Sequence, residues 1–161
     1  MSEPSIERLI YLLRTADPES RVDAARRLAE QAADPAAHQG LYEASFMRDH
    51  RLRRIAAGAL AACPDERNLV RLADLLADRR AEVRQAAAEA LCELGDPGAT
   101  LPLMDALNDS NRWVVLAALE GLGRFGKPIA RKRVRALIGS RDWGISRAAR
   151  RAIAKMEARQ G

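Results

Sequence analysis

Five times along the chain the same order of aliphatic and small side chains returns. Leu28, Leu60, Leu91, Leu122 and Ile153 stand 32, 31, 31 and 31 residues apart. Four places before each of them is an alanine: Ala24, Ala56, Ala87, Ala118 and Ala149. Nineteen places before are Leu9, Leu41, Leu72, Leu103 and Val134, and fifteen places before are Leu13, Ser45, Leu76, Leu107 and Ile138. The one extra residue falls in the AADPAAH connection between Leu28 and Leu41, where a loop absorbs it. A fixed beat of this length marks a repeat architecture.

Each unit contains two helical patterns. Leu72, Leu75 and Leu76 share one helix face, as do Ala99, Leu103 and Leu107; Val83, Ala87, Leu91 and Leu94 repeat at i, i+4, i+8 and i+11. The breaks have mechanisms. Asp17-Pro18, Asp34-Pro35 and Asp96-Pro97 each place a capping acceptor before a proline suited to the first helical position. Lys127-Pro128 keeps the proline without the cap, and Gly95 suits the left-handed end of the preceding helix. The pattern predicts helices over 5–15, 19–32, 36–47, 51–63, 66–77, 81–94, 98–108, 112–124, 128–139 and 143–158, paired as five hairpins. One hairpin cannot bury both sides of its leucine stripe, so hairpins must stack in a row, with the alanine column allowing close approach. The expected fold is all-α, a right-handed α-solenoid with first helices convex and second helices concave. It forms one domain over 1–161, with repeats near 5–33, 35–63, 66–94, 98–125 and 128–158.

The stretch DRRAEVRQAAAEALCELGDPGATLPLMDALND, from Asp78 to Asp109, resembles a HEAT repeat of the short bacterial kind also found in phycobilisome bilin lyases. The family pattern falls on Val83, Arg84, Ala87, Ala88, Ala90, Leu91, Leu94, Gly95 and Asp96. Leu52, Arg53, Ala56, Ala57, Ala59 and Leu60 match it in the second unit, and Arg21, Ala24, Ala25 and Leu28 in the first. Val115, Ser146 and Arg150 depart from it. The resemblance covers nearly the whole chain and implies the fold. For function it implies scaffolds, lyase-type chromophore handlers and other roles alike. The recurring Arg21, Arg53 and Arg84 are expected to hold register by binding the preceding inter-helix turn or a neighbouring aspartate such as Asp17, Asp49 or Asp78.

Helical phase selects the side chains that face the groove: Glu19, Val22, Asp23 and Arg26; His50, Arg51, Arg54 and Ile55; Glu82, Gln85 and Glu89; Arg112, Trp113, Leu116 and Glu120; Trp143, Arg147 and Arg151. Trp113 and Trp143 lie near the same phase of adjacent second helices, beside arginines, in the composition of a binding hot spot. The other reading makes each indole a plug at a hairpin turn. The groove charges are mixed, which fits a protein or peptide with a pattern of its own rather than a nucleic-acid backbone.

Charge changes the picture at one end. The formal net charge is +5, yet residues 1–123 carry 15 Lys+Arg against 20 Asp+Glu, while residues 124–161 carry 12 against 2. Arg131, Lys132, Arg133 and Arg135 fall on one helix, and Arg147, Arg150, Arg151 and Lys155 on the next. They either cap the array with polar groups or recruit an acidic protein, nucleic acid or a membrane surface.

Catalytic signals are missing. His38 and His50 are the only histidines, expected in a loop and at a helix start. Cys63 and Cys92 are expected as buried free thiols, Cys63 in the core column of Leu94, Phe125 and Met156. GLGRFG at 121–126 ends a helix with no strand before it, which argues against a dinucleotide loop. Asp142 beside Trp143 is the one candidate for glycosylase-like chemistry, and it also suits a helix cap. No cofactor or metal is expected. No apolar run spans a bilayer and the first residues do not form a signal peptide, so a cytoplasmic monomer is expected. The function expected is a non-catalytic interaction scaffold. The alternatives are a nucleic-acid-associated protein using the basic end and, least supported, a bilin-lyase-like subunit.

Overall fold

A computed structural model describes residues 4–63 and 65–159; the rest of the expected 1–161 span lies outside the described residues. Among them there are ten α-helices and no strand. They are α1 (Ile6–Thr15), α2 (Pro18–Ala29), α3 (Pro35–Ala44), α4 (His50–Ala59), α5 (Glu66–Leu75), α6 (Ala81–Leu94), α7 (Thr100–Ala106), α8 (Arg112–Phe125), α9 (Arg131–Ala136) and α10 (Trp143–Ala158). Several end two or three residues before the hydrophobic pattern does. There the last turn tightens to i→i+3 bonds, as in Ser45 N–H to the Tyr42 carbonyl and Leu76 N–H to the Ala73 carbonyl. α7 and α9 are each entered through a 3₁₀ turn that begins on a proline, Pro97–Ala99 and Pro128–Ala130.

The capping residues act as expected. Asp17 and Asp34 accept backbone N–H groups of their own first turns, and Pro follows each. Gly95 (φ 72°) and Gly126 (φ 67°) take the left-handed conformation that ends α6 and α8.

The even-numbered helices form a continuous row, each packed on the next, while the odd-numbered helices meet one another far less. The closer-packed row is the inner, concave side of the curve. Small residues make it possible: Ala56, Ala87, Ala118 and Ala149 are wholly buried. Two glycines of the GLGRFG segment serve close packing too, Gly121 against α7 and α6 and Gly123 against α10. A Cβ on Gly121 would meet Leu103 Cδ1 at 2.7 Å, and one on Gly123 would meet Ala152 Cα at 3.0 Å. The segment is helix–helix packing, not a phosphate loop.

Arginines staple the hairpins. Arg53 Nε and Nη2 donate to Asp78 at 2.7 and 3.1 Å, and its Nη1 donates to the Met47 and Arg48 carbonyls. Arg84 repeats this one unit on, donating to Asp109 at 2.6 and 2.8 Å and to the Asp78 carbonyl. Each therefore ties its own inter-helix turn to the aspartate of the next hairpin. Arg21 binds only the Ala16 and Arg14 carbonyls, because Met47 stands where the aspartate would be. In the fourth hairpin the arginine is replaced by Val115, which is buried.

Three expectations are corrected. His38 is not in a loop but buried within α3, its Nε2 3.8 Å from Asp65. Val22 faces the core of the first two hairpins, not the groove, at 2% exposure. Cys63 is half-buried beyond the short 3₁₀ turn that ends the second hairpin, whereas Cys92 is buried; both thiols are free.

Candidate functional site: the concave face

The inner row gathers side chains from α2 to α10 on one surface. At its first end, Arg51 donates to Glu19 of α2 at 2.6 Å and to its own helix cap Asp49 at 2.8 Å. The Arg51 guanidinium holds the Asp49 carboxyl below its ordinary value, and the two carboxylates in turn raise Arg51. Arg51 is thus largely satisfied within the chain. Between α4 and α6 lies a shallow cavity of about 230 Å³ lined by Arg54, Glu82, Gln85, Ala86 and Glu89. Arg54, Glu82 and Glu89 make no ion pair among the described residues.

The start of α8 and α10 holds the two indoles. Trp113 is 54% exposed and Trp143 74% exposed, so neither plugs a turn. Asn111 accepts the Trp113 N–H and Asp142 accepts the Ile145 N–H, which sets both helices to begin at this edge. Arg112 lies 5.2 Å from the Trp113 ring centre, and Arg147 lies 5.2 Å from that of Trp143. Arg112 also pairs with Asp142 at 3.4 Å and so links the two helix starts. Gly144 leaves it room, since a Cβ there would stand 2.6 Å from Arg112 Nη2. Asp142 is accordingly a helix cap with an arginine partner, which is not the setting of a catalytic base.

Further along, Glu120 of α8 receives Lys155 at 2.5 Å and Arg151 at 3.7 Å from α10. Part of the expected basic end is therefore used internally: Arg133 pairs with Asp105 at 3.0 Å and Arg135 with Glu157 at 3.4 Å. Lys132 and Arg150 are exposed and without an ion pair among the described residues, while Arg131 is half-buried. Arg150 occupies the column in which Ala88 and Leu119 are buried, as a polar end residue should. Among the described residues no group of three His, Cys, Asp or Glu could hold a metal, and no helix is long and apolar enough to cross a membrane.

The outer row lies outside the positions that helical phase selects for the groove. Val70, Leu101 and Ile129 are exposed there, and a cleft opens between α5 and α7. The signal was present in the column that reads Arg71, Pro102 and Arg133.

Comparison with known proteins places this architecture. A search of curated protein sequences finds no significant match. Among solved structures, the complex of CpcE and CpcF of phycocyanin lyase from Nostoc sp. PCC7120 is similar at 24% identity and a TM-score of 0.84, over 98% of this chain and 67% of that one. A designed armadillo repeat protein in complex with peptide (KR)4 is similar at 17% identity and a TM-score of 0.72, over 94% of this chain and 81% of that one. At such identities the likeness shows the fold alone. A profile of HEAT repeats, however, matches residues 6–92 and 69–154. With its hairpins, its alanine column and that match together, the chain belongs to the HEAT-repeat family.

Proposed function

We propose that the chain is a non-catalytic scaffold that binds a protein or peptide through its concave face, with Trp113 and Trp143 as anchors. The observation that carries this reading is the pair of exposed indoles at the starts of adjacent inner helices, each beside an arginine. Rigid aromatic groups with guanidinium neighbours dominate binding energy where they occur at interfaces. The similarity to a solenoid solved with a bound peptide supports the same use of this fold. After internal pairing, the surface still offers Arg54, Glu82, Glu89 and Arg147 to give a partner its register.

The test is capture of partners from the native lysate by the wild-type chain and by W113A/W143A. Loss of each indole should weaken binding about thirtyfold. An unchanged bound set would overturn the anchor assignment. A second reading, a nucleic-acid partner, rests on the exposed Lys132, Arg141 and Arg150, which lack ion pairs among the described residues. Phosphate binding by these groups with Arg147 should fall on the order of a hundredfold between roughly 50 and 200 mM salt. Binding centred on the indoles should persist across that range.

A further inference from the structure

The outer row contains a cleft that the repeat itself explains. Between α3 and α5 the gap is bridged by Arg71. Its guanidinium lies 3.8 Å from the Phe46 ring centre, its Nε donates to Ser45 Oγ at 2.9 Å, and its Nη2 donates to the Ser45 carbonyl. Between α7 and α9 the gap is bridged by Arg133, whose Nη1 donates to the Met104 carbonyl at 3.3 Å and to Asp105 at 3.0 Å. Arg71 and Arg133 occupy one column of the repeat, and the residue midway between them is Pro102. A pyrrolidine ring is too short to cross the gap and has no donor.

The gap between α5 and α7 is therefore unfilled. It forms a cavity of about 570 Å³ lined by Ala73, Leu76, Pro102 and Ala106, with Asp74 and Asp105 among its acids. No lysine or arginine lines it among the described residues. Asp74 lies 3.9 Å from Arg71 and Asp105 3.0 Å from Arg133, yet their side chains are 64% and 80% exposed, so each leaves carboxylate surface open to a guest. Val70 and Leu101, at matching positions of α5 and α7, are 65% and 60% exposed beside it.

We propose that this cleft receives an arginine side chain of a partner protein, presented next to an apolar residue that rests on Val70 and Leu101. The molecule shows the required chemistry twice, in the gaps on either side. A planar guanidinium can donate at once to carbonyls at a helix end and to a carboxylate, which an ammonium group does less well. Leu76, at the end of α5, is the counterpart of Ser45, whose carbonyl Arg71 takes. The cleft is acidic and the guest is basic, so charge favours the encounter. This surface lies on the outer row and stands or falls separately from the concave face.

The experiment follows amide shifts of the full chain with the probe acetyl-Leu-Arg-Leu-amide. Saturable shifts are expected at Ala73, Asp74, Leu101, Asp105 and Ala106. The same peptide with citrulline for arginine should bind about tenfold more weakly, because it keeps the shape and loses the charge. P102R supplies the guanidinium from within, as the flanking repeats do, and should abolish the shifts while the chain remains folded. D74N/D105N should weaken binding about tenfold or more, and W113A/W143A should leave it unchanged. Absence of saturable shifts at these residues, or equal binding of the citrulline peptide, overturns the proposal. Shifts that appear on concentrating the protein alone and vanish in P102R would make a second copy the occupant, and would overturn the assignment to a separate partner.

Discussion

The inner and outer rows of helices are held by different chemistry. Inner helices touch through alanine and glycine, so their backbones approach closely and little can be added without a clash. Outer helices stand apart, and arginines reach across: Arg14 to Glu43, Arg71 to Ser45, Arg133 to Asp105. The Arg53 and Arg84 staples join the turns that link the two rows. Close contact on one side and long reach on the other is what bends the row. The difference also says where a partner can enter. Among the described residues the inner row offers its exposed faces and one shallow cavity between α4 and α6, while the outer row has a larger gap that a side chain can fill.

Removing a staple should have the largest effect on stability. R84A leaves Asp109, only 9% exposed, without its partner, and should cost about 3 kcal/mol in urea unfolding. The same change at Arg21, which binds only carbonyls, should cost less, and equal losses would refute the staple argument. Overfilling the inner row comes next. G123V must push α8 from α10, because even a Cβ would meet Ala152 Cα at 3.0 Å, and about 2 kcal/mol should be lost. Equivalent bulk on the outer row, at Val70, should be tolerated within about 0.5 kcal/mol.

Acid should act through the paired aspartates, the two staples among them. Hydrogen bonds from Arg84 hold the Asp109 carboxyl below its ordinary 3.8. At Asp78 burial pushes upward, but the Arg53 hydrogen bond and the Arg80 N–H outweigh it, and the carboxyl is again lowered. Each folded carboxyl then binds fewer protons than its unfolded counterpart near 3.8. Their contribution is complete above that value and is lost as pH falls through the lower folded pKa. Melting temperature should fall as pH drops below about 4, and D109N should flatten part of that fall. The smallest effect should come from the indoles. W113A and W143A should each change stability by less than about 0.5 kcal/mol while weakening partner binding. A larger loss would mean that the tryptophans serve the fold.

The repeat was legible because its physics is local. A buried aliphatic residue about every turn, an alanine where helices cross, and Asp-Pro at a helix start each leave a mark at fixed spacing. The exposure of Arg54, Glu89, Trp113 and Trp143 on the inner helices agrees with the same phase. His38 did not follow, because it borders the irregular connection at 30–35, where the period slips by one residue; nor did Val22, an apolar side chain buried in the first hairpin in the column where later hairpins carry Arg54 and Gln85. Pairings were not legible either. Nothing in the chain's order says that Arg51 is spent on Glu19 while Arg54 stays unpaired, since Coulomb energy depends on distances between hairpins.

The linear order of residues settled how many hairpins there are, which face each buries and which small side chains let neighbours meet, because these depend on contacts within one or two turns. Folding in three dimensions decided which charges cancel, where Arg112 bridges two helix starts, and that Pro102 leaves a gap its neighbours fill. Those outcomes depend on groups some twenty-five to thirty residues apart arriving within a few ångströms of one another.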